Sequence, residues 1–188
     1  MLDQIRPHGL VYFGNISASQ NLQRFVNLAT SLDHCHNLGF VFVGRGTQAD
    51  ELKSLASRLH LKNFLFFDEI DSSKIESLLR QCHIGIIALE LRHRTHNVPR
   101  KFLSYINAGL PVFAALNPGN DLVTLIEDNR MGRATTLEDQ DALLKGRELL
   151  FGKLKTDGVI SGRGRDMAKQ RFSLTTAAKK ITEALQAN

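Results

Sequence analysis

Short apolar runs alternate with longer amphipathic stretches along the first 115 residues. The runs are four to six residues long and continuously apolar, which is typical of strands buried on both faces of a parallel sheet. They lie at Gly9–Phe13, Gly39–Val43, Phe64–Phe67, Ile84–Leu89 and Val112–Ala115. Helical periodicity follows the first four runs, over Gln20–Leu32, Ala49–Leu59, Ser73–Arg80 and the stretch after Pro99. This alternation predicts a doubly wound α/β fold.

Beyond Gly119 the pattern turns mostly helical and predicts extra C-terminal helices. Two are expected at Leu122–Glu127 and Leu137–Leu150, and a last amphipathic helix over about Thr175–Leu185 carries Ala178, Ile181 and Leu185 on one face. Four glycines between them, Gly152, Gly158, Gly162 and Gly164, predict a loop rich in Lys and Arg. The length of 188 residues predicts one domain, 1–188.

Composition narrows the class of protein. No run of about 18 apolar residues exists to span a bilayer, and the first residues lack the pattern of a signal segment. Only Cys35 and Cys82 are present, so a disulfide framework is not expected and a reducing cytosol is the default compartment. The net charge of +5 favours anionic partners, namely nucleotides, nucleic acid or the inner face of a membrane.

The segment from Pro99 to Val112 carries the clearest chemical signal. Proline suits the first position of a helix, and the N–H groups of Arg100 and Lys101 then point out of the helix start, where the dipole favours an anion. Two cations at that end oppose the helix itself, so a phosphate between them is the better explanation. Tyr105 is expected at the edge of the buried face, and Gly109 ends the helix.

Ligands of an open parallel sheet bind beyond the carboxyl ends of its strands, so the loops there are the candidate sites. These loops are Gly14–Ser17, Gly44–Thr47, Asp68–Ile70 and the basic stretch Glu90–His96. The last contains four positive or potentially positive groups, Arg92, His93, Arg94 and His96, directly before the Pro99 helix. We therefore expect an anion site there, in preference to a solvated basic loop.

Other functions are favoured less. Gly44–Ala49 fits the G-x-G-x-x-G/A dinucleotide fingerprint, but a full strand–helix unit precedes it, and glycines that permit a tight turn explain it more simply. His34, Cys35 and His36 match no zinc pattern with Cys82 and His83, and they lie at the opposite end of the sheet. The basic run from Lys145 to Lys180 lacks the interleaved aromatic residues of a nucleic-acid site. We therefore expect no resident metal and no nucleic acid partner.

Three motifs resemble the C-terminal, nucleotide-sugar-binding domain of GT-B glycosyltransferases, specifically glycosyltransferase family 4 and its bacterial surface-polysaccharide branch. Leu10–Ile16 with Gln20–Leu22 is similar to "Y-x-G-N-I/L…Q-x-L", and Val41–Gly46 to "hydrophobic-V-G-x-G". Val98–Phe102 with Ala108–Val112 is similar to "V-P-S-K-hydrophobic…A-G-x-P-V", the most specific of the three. The resemblance covers essentially the whole chain.

This resemblance implies the donor half of a retaining enzyme, Rossmann-like in fold, with an N-terminal acceptor domain missing from the chain. It implies that His96, Arg100 and Lys101 act on the diphosphate and sugar, with no cofactor or metal. The residues implied to contact the nucleotide sugar are Gly14, Asn15, Gly44, Asp68, Glu69, Ile70, Val98, Pro99 and Ser104. The implied partners are a nucleotide-sugar donor and a glycan or lipid-linked acceptor.

The chain departs from the family pattern at two positions that usually hold paired glutamates, where it has His96 and Ser104. A carboxylate can hold both ribose hydroxyls, whereas one serine hydroxyl makes a single bond or none. Asn15 and Gln20 likewise stand where the branch usually has an Arg/Lys pair. Three functions stay open: a cytoplasmic glycosyltransferase, peripheral on the anionic inner membrane face; a noncatalytic relative that binds nucleotides; and an NAD-dependent oxidoreductase domain.

Overall fold

The computed structural model describes residues 8–90, 98–135 and 160–186, and its centre is one six-stranded sheet. The strands are β1 (His8–Phe13), β2 (Leu38–Val43), β3 (Phe64–Phe67), β4 (Ile84–Ala88), β5 (Val112–Ala115) and β6 (Gly132–Thr135). All neighbouring strands are parallel, in the order β3-β2-β1-β4-β5-β6. The order reverses direction between β1 and β4, which is the topological switch point of a doubly wound fold. The predicted fold class is confirmed.

Helices cover both faces of this sheet and bury two hydrophobic clusters. One cluster lies under α1 (Gln23–Ser31) and α2 (Ala49–Arg58). The other lies under α3 (Ser72–Leu79), α4 (Arg100–Asn107), α5 (Asp121–Asp128) and α6 (Ile160–Phe172), and α7 (Leu174–Gln186) follows. None of the helices in the described ranges is long and apolar enough to cross a bilayer.

Two expectations for the C-terminal third are wrong. The edge strand β6 was not expected, because its four residues include an arginine and are only partly buried. Gly162 and Gly164 lie inside α6 and not in a loop. A Cβ on Gly164 would lie 3.2 Å from the Ile106 carbonyl oxygen, so this glycine lets α6 pack closely on α4. Gly152, Gly158 and the helix expected over 137–150 lie outside the described residues.

Tyr105 closes the switch point and is fully buried, not at the edge of the α4 face as expected. β1 and β4 share two registered pairs, whereas β1 and β2 share six. Where β1 and β4 separate, the Tyr105 hydroxyl donates toward the carbonyl oxygens of Val11, at 3.0 Å, and Ile86, at 3.1 Å. Its ring fits because Gly85 has no side chain, since a Cβ there would overlap the ring.

Replacing Tyr105 by phenylalanine is therefore expected to destabilise the protein by about 1–3 kcal/mol, because two buried carbonyl oxygens lose their shared donor. Chemical denaturation of both forms measures the difference. Ser104→Ala, at a partly exposed position of the same helix, is the control and should change the free energy of unfolding by less than about 0.5 kcal/mol. Equal stability of Tyr105→Phe and the parent would show that the hydroxyl does not hold the strands.

Candidate functional site

The carboxyl ends of β1 and β4 and the start of α4 lie at the switch point of the sheet, and we call this region the switch-point crevice. Gly14 follows β1 directly, and Lys101 reaches it from α4. A Cβ on Gly14 would lie 3.8 Å from the Lys101 Nζ atom. Gly14 and Lys101, which belong to two different motifs of the sequence, are thus neighbours in the structure. Open α/β sheets bind their ligands in such a crevice.

The start of α4 differs by one residue from the prediction. Pro99 is the N-cap and not the first helical residue, since its backbone is extended at φ −63° and ψ 140°. Its carbonyl oxygen accepts a hydrogen bond from the Phe102 N–H at 2.9 Å. Arg100 and Lys101 are therefore the first two helical residues, and their N–H groups lie outside the helix's own hydrogen bonds. The Arg100 side chain is exposed, and that of Lys101 is half-buried.

Lys101 is the most perturbed cation among the described residues. Its Nζ lies 3.8 Å from the centre of the Tyr12 ring. Burial disfavours the charged form and lowers the pKa of Lys101 from 10.5 to about 7. In the described parts of the chain no carboxylate forms an ion pair with it. An amine poised in this way is suited to receive an anionic ligand, because the ligand supplies the missing counter-charge.

Tyr12 contributes to the crevice in a way that the sequence did not reveal. The apolar run around it predicts only a buried strand, and its side chain is indeed fully buried. Its hydroxyl donates to the carbonyl oxygen of Asn15 at 2.5 Å. Tyr12 thus contacts both Lys101 and the turn after β1. The available signals were its place as the tyrosine of the Y-x-G-N motif and its position, one residue before the strand's carboxyl end.

The loops after β1 and β2 pack against each other through glycines. Hydrogen bonds run from the Gly14 N–H to the Val43 carbonyl and from the Ile16 N–H to the Arg45 carbonyl, both at 2.9 Å. A Cβ on Gly44 would lie in contact with the Gly14 carbonyl oxygen, well inside van der Waals distance. A Cβ on Gly46 would likewise overlap the backbone of Ile16. Close packing of the two loops therefore explains the G-x-G pattern without a dinucleotide.

The residues expected to hold the base lie at the end of β3. Asp68 forms an ion pair with Lys53 at 2.7 Å, and Glu69 forms one with Arg45 at 2.6 Å. Both pairs are largely exposed, so each contributes about 1 kcal/mol or less, and a ligand can displace them at little cost. Ile70 packs partly buried against the α3–α6 side of the core. With β2 and β1 between β3 and β4, these side chains flank the crevice at a distance.

The remaining predicted site residues differ in their burial and in their hydrogen bonds. Val98 is half-buried against the core beneath α4. The Ser104 hydroxyl faces its own helix, 3.4 Å from the Arg100 carbonyl oxygen, at a partly exposed position. Asn15 is exposed, and its amide lies 3.3 Å from the Ser17 hydroxyl. His96 lies outside the described residues, so its role stays a prediction.

Glu90 is a second residue that the sequence did not single out. Its carboxylate accepts a hydrogen bond from Asn21 at 2.7 Å and lies 4.0 Å from Arg24, while its N–H donates to the Ser19 carbonyl at 2.8 Å. These contacts join the end of β4 to the loop after β1. Beside them a cavity of about 540 Å³ extends between Glu90 and α2. In the described residues no group of three or more His, Cys, Asp or Glu could hold a metal.

Comparison with known proteins gives consistent matches to this architecture. Residues 6–151 match the family model described as glycosyl transferases group 1. The chain is 22% identical over 134 residues to a probable glycosyltransferase, WbjE, of Pseudomonas aeruginosa. That match covers 71% of this chain and 33% of WbjE, so the chain spans about one third of its length.

Solved structures share the fold at low sequence identity. Anabaena Alr3699/HepE, solved in complex with UDP and glucose, is 20% identical with a TM-score of 0.76, over 100% of this chain and 50% of that one. WaaG, a glycosyltransferase involved in lipopolysaccharide biosynthesis, is 17% identical with a TM-score of 0.72, over 93% and 46%. This chain therefore covers about half of each structure.

The packing of the two loops predicts unequal costs for two glycine substitutions. Gly119→Ala adds a methyl where no atom lies within 4 Å, so only the positive φ of 77° costs, about 1–2 kcal/mol. Gly44 also has a positive φ, of 155°, and its Cβ must in addition displace the Gly14 carbonyl, so Gly44→Ala is expected to cost a further roughly 1–3 kcal/mol. Chemical denaturation of the two variants compares them, and equal losses would contradict the close contact.

Proposed function

Because this chain belongs to the glycosyl transferases group 1 family, we propose that it is the donor-binding, C-terminal-type half of a retaining GT-B enzyme of glycosyltransferase family 4. It binds a sugar linked to a nucleoside diphosphate in the switch-point crevice and needs no metal. The sugar passes to a glycan or lipid-linked acceptor in surface-polysaccharide synthesis, on the cytoplasmic face of an anionic membrane. The acceptor is held by an N-terminal-type domain outside these 188 residues.

The observation that carries the proposal is the Lys101 amine between Tyr12 and Gly14 at the carboxyl edge. The diphosphate is the leaving group of glycosyl transfer, and its charge increases as the bond to the sugar breaks. An ammonium and two helix-start N–H groups stabilise that charge where it develops. Arg100, next on the helix and exposed, supplies a second cation. The half-length coverage of the solved relatives supports a two-domain enzyme.

Direct titration tests the proposal. The purified chain is titrated calorimetrically at low salt with UDP, GDP, ADP and NAD. Selective binding of one nucleoside diphosphate is the expected result and identifies the base. A preference for NAD would instead favour the dinucleotide reading of Gly44–Ala49, and binding of none of the four would contradict a preformed donor site.

Lys101→Ala is expected to weaken nucleoside diphosphate binding by about 1.5–3 kcal/mol, the worth of a charge-assisted hydrogen bond. Lys62→Ala, at an exposed position just before β3 and so at the opposite, amino edge of the sheet, also removes one lysine and is the control. Its affinity should stay close to that of the parent. Equal losses in the two variants would mean that only the general charge of the protein attracts the ligand.

Ser104 favours a second candidate function, a binding module that has lost transferase activity. Its hydroxyl faces the helix backbone, and a serine offers the ribose fewer bonds than the glutamate of the family pattern. The two candidates differ in one measurement: the module binds the nucleotide sugar but shows neither hydrolysis nor transfer when joined to an acceptor domain.

Restoring the carboxylate tests how the nucleotide lies. Ser104→Glu should tighten binding of the preferred nucleoside diphosphate several-fold, because a carboxylate can accept from both ribose hydroxyls. Ser104→Gln, of the same size without the charge, separates this effect from simple bulk. Weaker binding by the glutamate variant would place the ribose away from this turn of α4.

A further inference from the structure

We propose that Tyr12 is a positioning residue, which holds the Lys101 ammonium with its ring and the Asn15 turn with its hydroxyl, and so fixes both sides of the diphosphate site. The inference rests on the proposed function and assigns a role to a strand residue that belongs to the Y-x-G-N motif but was given no role there. It follows from two contacts of one fully buried side chain.

The first contact, between the Tyr12 ring and the Lys101 ammonium, joins residues that belong to opposite faces of the sheet. Tyr12 packs in the cluster under α1 and α2, and its ring lies 5.5 Å from that of Phe42. Lys101 belongs to α4 on the opposite face, yet its Nζ lies 3.8 Å from the Tyr12 ring centre. Attraction between a cation and an aromatic face is strongest where water is excluded. The ring therefore gives the flexible lysine one preferred position in the crevice.

The second contact fixes the turn after β1. The phenol donates to the Asn15 carbonyl, and Gly14, in the same turn, is a neighbour of the Lys101 amine. Burial raises the pKa of Tyr12, so the phenol remains a donor across the working range of pH. One rigid side chain thereby sets the separation between the cation and the backbone of the turn.

The ring also affects how Lys101 titrates. Among the described residues the Tyr12 ring on β1 contacts the amine, and α4 itself carries two further charged or titratable groups, Arg100 next to Lys101 and Tyr105 four residues on. Both phenols are neutral because burial raises their pKa values. Leucine at position 12 keeps the apolar cover but removes the aromatic face that favours the ammonium. The pKa of Lys101, about 7 in the parent, should then fall further, whereas phenylalanine should leave it unchanged.

The sign of the binding effect follows from this titration. Below its pKa Lys101 is already charged, and above it a bound diphosphate must draw a proton from solution, so the affinity falls as the pH rises through about 7. A nucleotide sugar is the suitable probe, because it has no phosphate monoester that titrates near pH 6. UDP-glucose, GDP-mannose and ADP-glucose cover the three bases, and the one that binds the parent is used.

The experiment compares three variants in two measurements. The Lys101 Cε chemical shift is followed by NMR in the ligand-free protein from about pH 5 to about pH 10, and the sugar-nucleotide affinity is measured over the same range. Tyr12→Leu should lower the titration midpoint and weaken binding about tenfold. Tyr12→Phe should keep the midpoint and weaken binding only a few-fold, through loss of the Asn15 contact. Phe42→Leu, a neighbouring core aromatic, should change neither.

The outcomes separate the two proposals. Parent-like midpoints and affinities in all three variants overturn the role of Tyr12, as does a loss of binding in Phe42→Leu equal to that in Tyr12→Leu. If the parent binds no sugar nucleotide, the proposed function fails. The ligand-free midpoints still decide whether Tyr12 positions Lys101.

Discussion

The hydrogen bonds of the Tyr105 hydroxyl to the strands on either side of the switch point are the constraint on which the crevice depends. A doubly wound sheet must separate two strands at its carboxyl edge to admit a ligand, and separation leaves backbone groups without partners in the interior. Here one phenol from α4 lies in the gap and bonds to both Val11 and Ile86. The sheet can therefore open without leaving those carbonyl groups unsatisfied.

The same helix carries the cation. Lys101 and Tyr105 are four residues apart, so they lie one turn from each other on the same side of α4. Anchoring Tyr105 between the strands thus sets the height and rotation at which Lys101 enters the crevice. The amine then crosses to Tyr12, whose hydroxyl holds the turn after β1. The amine and its aromatic partner are consequently held by a strand, a helix and their packing, which leaves the position of the amine little freedom.

The sequence predicted the parts of the fold that repeat a strong local pattern. Continuous apolar runs identified five strands, and the alternation with helices identified the sheet as parallel. β6 was missed because an edge strand of four residues with Arg133 has no such pattern. A loop was predicted at Gly164 because glycine locally favours one. The residue is helical because it packs against Ile106, which is distant in sequence. Lys101 and Gly14 were predicted as site residues from their motifs, whereas the contacts of Tyr12 and Glu90 are tertiary and could not be predicted from the local sequence.

The contact between Gly14 and Gly44 limits how this site can evolve. A side chain gained at Gly44 would overlap the facing backbone oxygen, and the partner is already the smallest residue, so no compensating reduction in size is available. Substitutions at Gly14 and Gly44 are therefore disfavoured. Substitutions at Asp68 and Glu69 are tolerated more easily, since their exposed ion pairs contribute little stability. Under the proposed function, a lineage that changes its preferred nucleobase would therefore accumulate its substitutions at the end of β3, whereas the contact between Gly14 and Gly44 would stay unchanged.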